Sequence, residues 1–387
     1  MRITKTLVTL ALLGAASATA QQAFYGDPPD ENHPWAIHDQ NRPQPPRVEP
    51  GKNGAPPSDA IVLFSGPDLE ANWLSTKKEG GPAKWDVVEG NILQCKPGAG
   101  DIRSVAEFGD CQLHVEWSAP SEVKGNSQGR GNSGIFLMGM TEVQVLDNFN
   151  NPTYADGFAG SVYGVNPPMA NALNQPGEFN SYDIIFRRPI FKDGKEVESG
   201  YVTVFCNGVL LQDHTPLEGG GGHKGRSKPR AFPEKGPLKL QDHGNTTRFR
   251  NIWYRPLPPR PIEGGTDGKL SPEATMAKRK EIAAGIRKDA EQLLAAENEK
   301  DGMLRLMESL LYEKDPSAMS DAIVLAEADA AVLETATPAQ LEERKGEIMQ
   351  VKNAFAYLIK FKILPADFAP MKTIEGIIEA QGWNKKK

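Results

Sequence analysis

Histidine and cysteine are scarce in this sequence. Its 387 residues include six histidines and three cysteines, with no His-x-x-x-His pair and no Cys/His cluster, which excludes a zinc site of ordinary spacing. Three cysteines allow one disulfide at most. Cys95 and Cys111 flank an expected hairpin and could pair, although the simpler reading makes all three small buried apolar residues. None sits in a His-containing signature, which argues against a cysteine nucleophile. Positive charge is in deficit, with 44 Lys and Arg against 50 Asp and Glu and a net charge of −6. Nucleic acid and anionic membranes are therefore not expected partners. Long apolar runs are missing after the first twenty residues, so no membrane span is expected and the remaining chain should be soluble. Gly219 to Gly222, followed by His223 and Lys224, lacks the Gly-Lys-Ser/Thr of a phosphate loop. It reads instead as a flexible loop, a candidate lid.

What is present begins with an export pattern. Arg2 and Lys5 precede an apolar stretch from Leu7 to Ala16, and Ala18-Thr19-Ala20 forms a small-residue cleavage site. Residues 1–20 read as a signal peptide, which predicts a periplasmic or secreted protein. Residues 21–57 are rich in Pro, Asp, Asn and Gln, a composition that alone would leave a leader disordered. Residues 58–257 carry short alternating runs divided by Gly, Pro, Asn and Asp. Examples are Cys111 to Trp117, Thr141 to Val145, Tyr182 to Phe186, Tyr201 to Cys206, Leu238 to Gln241 and Arg248 to Tyr254. Asn207-Gly208 is a two-residue hairpin signal. Many short strands with no helix between them predict an antiparallel all-β sandwich or jelly roll. Residues 258–270 form a Pro/Gly linker. From 271 to 387 the period becomes helical, with Ser271-Pro272 and Thr337-Pro-Ala-Gln340 as helix starts, and a small all-α bundle is expected.

Several runs in the middle region occur together in a known family. They include Ile61-Val-Leu-Phe-Ser-Gly66, Gly100-Asp-Ile-Arg-Ser104, Phe108 to Trp117, Gly131-Asn-Ser-Gly-Ile-Phe-Leu137 and Glu142-Val-Gln-Val-Leu-Asp147. Thr153-Tyr-Ala-Asp-Gly157, Leu238 to Gly244 and Arg248-Phe-Arg-Asn-Ile-Trp253 complete the set. In order and spacing they resemble the 3-keto-disaccharide hydrolase domain family over about 58–257. The resemblance implies a concanavalin A-like jelly roll. It extends back over Trp35 to Asp39 and Arg42-Pro43, which implies that Trp35 packs onto the sandwich. Cys206 stands where many relatives have His, and reads as a buried strand position.

Glu142, Gln144 and Asp147 also resemble the Glu-x-Asp-x-x-Glu strand of laminarinase-like retaining glycosidases. Those enzymes need two carboxyl groups about 5–5.5 Å apart. A regular strand would put Glu142 and Asp147 on opposite faces, about 16 Å apart along its axis, and Gln144 is not a carboxylate. Ordinary retaining hydrolysis is therefore disfavoured. The resemblance supplies another chemistry. A ketone at C3 of a sugar acidifies the C2 proton, so a general base can remove it and the C1–O bond then breaks by elimination. Water adds afterwards.

Glu142, His243 and Asp147 are the candidate catalytic residues. Candidate substrate-binding residues are Arg103, Gln144, Tyr154, Asp156 and Tyr163, with His214, Lys239, Gln241 and Arg250. Glu116 and His114 could face the same sheet or solvent. The substrate call is a small 3-keto-glycoside. No cofactor is identified, and a divalent metal remains open. Two alternatives stand beside this one: a non-catalytic carbohydrate-binding module, and a scaffold whose helical bundle docks a protein partner.

Overall fold

The computed structural model describes residues 23–384 except 53, 68, 78–80, 262–265 and 267. The expected signal peptide at 1–20 lies outside the described residues. Two compact units emerge among the described residues, one over 46–261 and one joining 23–45 with Thr266 onward.

The first unit contains two antiparallel sheets around a shared core. The larger sheet holds β3 (Asp86–Val88), β4 (Ile92–Gln94), β6 (Cys111–Ser118), β9 (Asn180–Arg187), β12 (Tyr201–Cys206), β13 (Val209–Pro216) and β15 (Arg248–Pro256), in the order β13-β12-β9-β6-β15-β4-β3, with β1 (Ile61–Phe64) also paired to β15. The smaller sheet runs β2-β5-β14-β7-β8, from β2 (Trp73–Ser75), β5 (Ile102–Phe108), β7 (Asn132–Leu137), β8 (Thr141–Leu146) and β14 (Gly236–Leu240). A short helix α1 (Leu69–Asn72) and a hairpin of β10 (Ile190–Lys192) and β11 (Lys195–Glu198) complete the unit. Alternation explains the packing. Leu113, Val115 and Trp117 of β6 enter the core with Tyr182, Ile184 and Phe186 of β9, opposite Ile135 and Val143 of the smaller sheet. The Asn207-Gly208 turn has both residues at positive φ, as its sequence predicts. This is the sandwich the strand pattern predicts.

All three cysteines are buried and free, so Cys95 and Cys111 do not pair. Burial pushes the Cys206 thiol up to about 12, as suits an inert strand residue.

The second unit has helices α2 (Pro272–Ala295), α3 (Glu299–Ser309), α4 (Pro316–Thr335), α5 (Pro338–Glu343), α6 (Lys345–Lys360) and α7 (Ala369–Ala380) among the described residues. Ser271 caps α2 through the Ala274 amide, and Thr337 with Gln340 forms the capping box of α5. Gly302 lets α3 approach α2, since a Cβ there would lie 2.6 Å from Leu294 Cγ.

The leader departs from expectation. Phe24 and Trp35 pack on the helical core, so residues 23–45 belong with the helices rather than the sandwich. The reason is a buried polar knot. Asn41 Nδ2 donates to Glu308 Oε1 at 2.6 Å and to Asp39 Oδ1 at 2.8 Å, and the Tyr312 hydroxyl donates to Asp39 Oδ2 at 2.5 Å. Burial raises the Glu308 carboxyl pKa, and Arg305 at 2.7 Å opposes that shift. A buried carboxylate stripped of a donor is costly, so Asn41→Ala should destabilise the helical unit by about 1–3 kcal/mol. Thermal unfolding of the full chain checks this: an unchanged transition would show that the knot contributes nothing.

Candidate active site

The candidate site stands on the face of the smaller sheet that turns away from the core. In β8, Thr141, Val143 and Val145 are buried inward, which leaves Glu142 and Gln144 on the opposite side. In β7, Ile135 and Leu137 enter the core, so Gly134 and Phe136 share the outer face. Register then builds one cross-strand row: Arg103 beside Lys239, Lys239 beside Phe136, and Phe136 beside Glu142. Gly134 faces Gln144 in the neighbouring row.

A cavity of about 420 Å³ lies over these positions, within the size range of small-molecule sites. Glu142, Gln144 and Phe136 form part of its sheet wall, while Tyr163, His223, Gln241 and His243 enter from loops. Gly134 makes room for the Glu142 carboxyl, because a Cβ there would sit 2.3 Å from Oε1. As an edge strand β8 would offer open backbone groups. Instead Gln144 N donates to Ser161 O, Gly160 N to Gln144 O, and Tyr163 N to Glu142 O at 3.1 Å. The same pairing brings Tyr163 to the cavity.

The Glu142 carboxyl accepts no hydrogen bond and makes no ion pair among the described residues. Burial raises its carboxyl to about 7; Lys239 pulls the other way, and Asp101 adds to the rise. The Lys239 ammonium is itself held 2.9 Å from Asp101 and 3.5 Å over the Phe136 ring. Gln144 has no such latitude. Its Nε2 donates to Gln128 Oε1 at 3.1 Å, and its Oε1 accepts from Val145 N at 3.2 Å. At the rim the Tyr163 hydroxyl lies 2.8 Å from that of Tyr154 and 3.2 Å from His223 Nδ1. Burial, then the Tyr154 hydrogen bond, pushes the Tyr163 phenol well above its ordinary range and keeps it protonated.

The structure therefore brings Glu142, Gln144, Tyr163, Gln241 and His243 to one cavity, with Tyr154 one hydrogen bond behind. Other candidates fall elsewhere. Asp147, proposed as catalytic, is 3 % exposed and ion-paired to Arg130, and its Oδ1 accepts from Phe149 N, so it holds a turn. Asp156 sits in a 3-10 turn whose carbonyl accepts from Gly164 N. Arg103 and Lys239 share the row but do not line the cavity.

His214 and Arg250 are on the larger sheet. His214 lies against the Tyr201 ring at 3.5 Å, and Arg250 pairs with Glu116 at 2.6 Å. There His114 bonds Asp183 at 2.7 Å; burial opposes its charging, yet Asp183 and Glu116 outweigh that and raise it to about 9. Sequence reasoning missed His223 as a wall of the site. The signal was present in the glycine run before it: Gly221 has φ +79°, and a Cβ there would lie 2.1 Å from Tyr163 O. The loop can approach Tyr163 only with glycine at that point.

The Glu142 electrostatics have a measurable sign. The folded protein holds this proton up to about 7, whereas an ordinary carboxyl releases it near 4.5. Folding stability from this group therefore falls as pH rises between those values. Asp101→Asn should lower the Glu142 midpoint, and Lys239→Met should raise it. Carboxyl-carbon NMR titration reads both shifts directly, and opposite or absent shifts would refute the row's role.

Among curated proteins none matches this chain. A candidate glycosyl hydrolase from Parabacteroides distasonis, solved by crystallography, is similar at 48% identity and TM-score 0.53, over 56% of this chain and 93% of that one. A second candidate glycosyl hydrolase from the same organism is 23% identical, with TM-score 0.37, over 52% of this chain and 94% of its own. The profile of the 3-keto-α-glucoside-1,2-lyase-like domain matches residues 59–255, about half of the chain and nearly all of the sandwich. This chain belongs to that 3-keto-α-glucoside-1,2-lyase-like family.

Proposed function

We propose that the protein cleaves 3-keto-glycosides by elimination followed by hydration. One observation carries this reading: Glu142 is the single carboxylate among the described residues lining the cavity, unpartnered, with its midpoint at about 7. Displacement at C1 with a paired carboxylate has no second acid here, whereas removing a proton next to a ketone needs one base poised near neutrality.

In this reading Glu142 takes the C2 proton, and the C2–H electrons form the enolate of the C3 ketone. Tyr163 and His223, on the cavity wall, supply hydrogen-bond donors for the C3 oxygen. The enolate collapses and expels the C1 oxygen, which takes a proton delivered by His243. Water then adds to C1 of the enone and C2 regains a proton, so the net change is hydrolysis. Among the described residues no group of three or more His, Cys, Asp or Glu stands together as a cation site, and no step here is routed through a metal. The export pattern at 1–20 supports a periplasmic or extracellular setting for this activity.

Release of sugar from a 3-keto-glycoside, with essentially none from the parent glycoside, is the expected specificity. Comparable cleavage of an unoxidised disaccharide would sink the keto requirement. Glu142→Gln should cut turnover by roughly 10²–10⁴-fold without lowering the melting temperature at pH 8, since it removes a charge that folding disfavours. A fully active variant would place the base elsewhere.

The sandwich should also suffice for chemistry. A chain limited to Pro46–Leu257 is expected to keep its activity, and a folded but inactive fragment would show that the helical unit contributes to the site.

A further inference from the structure

Residues 241–244 form a wall one residue thick. Gln241 and His243 line the cavity over Glu142, whereas Asp242 and Gly244 line a second cavity of about 450 Å³. Across from Asp242, this second space is bounded by Thr76 and Lys77 at the end of β2 and by Gly98 and Gly100. No aromatic or aliphatic side chain is among its described walls.

The walls are fixed in advance. Asp242 Oδ2 accepts from Gly100 N at 2.7 Å, Asp242 Oδ1 accepts from Gly244 N at 3.0 Å, and the Trp85 indole donates to Gly100 O at 2.9 Å. Gly100, at φ +95°, lets Lys77 lie across it, because a Cβ would meet Lys77 Cε at 2.6 Å. Lys77 Nζ reaches Gly98 O, which leaves further N–H donors on the ammonium. The Asp242 and Asp101 carboxylates each have acceptor positions beyond the bonds they already make. Fixed donors and acceptors without an apolar platform suit a ligand that presents hydroxyl groups on every side.

We propose that this second cavity is the leaving-group subsite and selects an uncharged, hydroxyl-rich leaving group. Resting on the elimination reading above, the inference puts the oxidised ring over Glu142 and the scissile C1–O bond across the ridge. His243 stands on that ridge, where the departing oxygen needs its proton. An aryl leaving group would find nothing to stack on, and would forfeit the Lys77, Asp101 and Asp242 contacts.

Two measurements on the full chain test the assignment. Thr76→Trp fills the cavity and Lys77→Ala removes its cation. Each should lower the ratio of kcat/KM for a 3-keto-disaccharide to that for methyl 3-keto-glucoside by about tenfold, the worth of a hydrogen bond to a charged group. Separately, titration with free glucose should shift the backbone amides of Gly98, Gly100 and Gly244, and Thr76→Trp should abolish those shifts. An equal change in kcat/KM for both substrates overturns the subsite, as does the absence of amide shifts. If the unaltered protein cleaves neither substrate, the elimination reading fails, and the glucose titration alone then decides whether the cavity binds hydroxylated ligands.

Discussion

The site depends on one carboxyl group that has space but no partner. Glu142 lies over Gly134 on a strand whose outer backbone groups are already taken by residues 160–163. A larger residue at 134 would push the carboxyl away, and a nearby donor would hold it ionised well below neutrality. The glycine and the missing donor together keep a carboxyl half-buried near its titration point. That arrangement costs stability, and such costs concentrate where chemistry is done.

The two sheet faces show how far environment, rather than residue type, sets behaviour. Glu116 on the larger sheet stands 3.7 Å from His114 Nε2 and accepts from Asn251 and Arg250, and its carboxyl falls to about 2. Glu142 on the smaller sheet, with none of these, rises to about 7. Both are strand glutamates in alternating polar/apolar segments, and the local difference is His114, two residues before Glu116 on the same strand. The rest of the difference comes from Arg250 and Asn251, contributed by β15 about 135 residues away.

That contrast marks the boundary of what the sequence discloses. Strand alternation and turn residues determine the sandwich, because period-two burial is a local property; β6, β8 and β12 fall where their residues predict. Helix starts at Ser271 and Thr337 are equally local. The shared face of Glu142 and Gln144 follows from the same rule. Asp147 and Arg250 are candidates by residue type within a motif and His214 by residue type alone, and type does not encode partners: Arg130 takes Asp147 and Glu116 takes Arg250. His223 was hidden because its position depends on how a glycine-rich loop meets Tyr163, a contact between segments about 60 residues apart.

The helical unit draws its parts from both ends of the chain. Asn41 and Trp35 emerge from the ribosome more than 200 residues before Glu308 and α6, so the leader must wait, unpartnered, while the whole sandwich is made. The sandwich has every one of its strands available before α2 begins, and domains commonly fold in order of synthesis. Residues 24–41 are thus made before the sandwich yet buried only after it, once α3 and α6 exist.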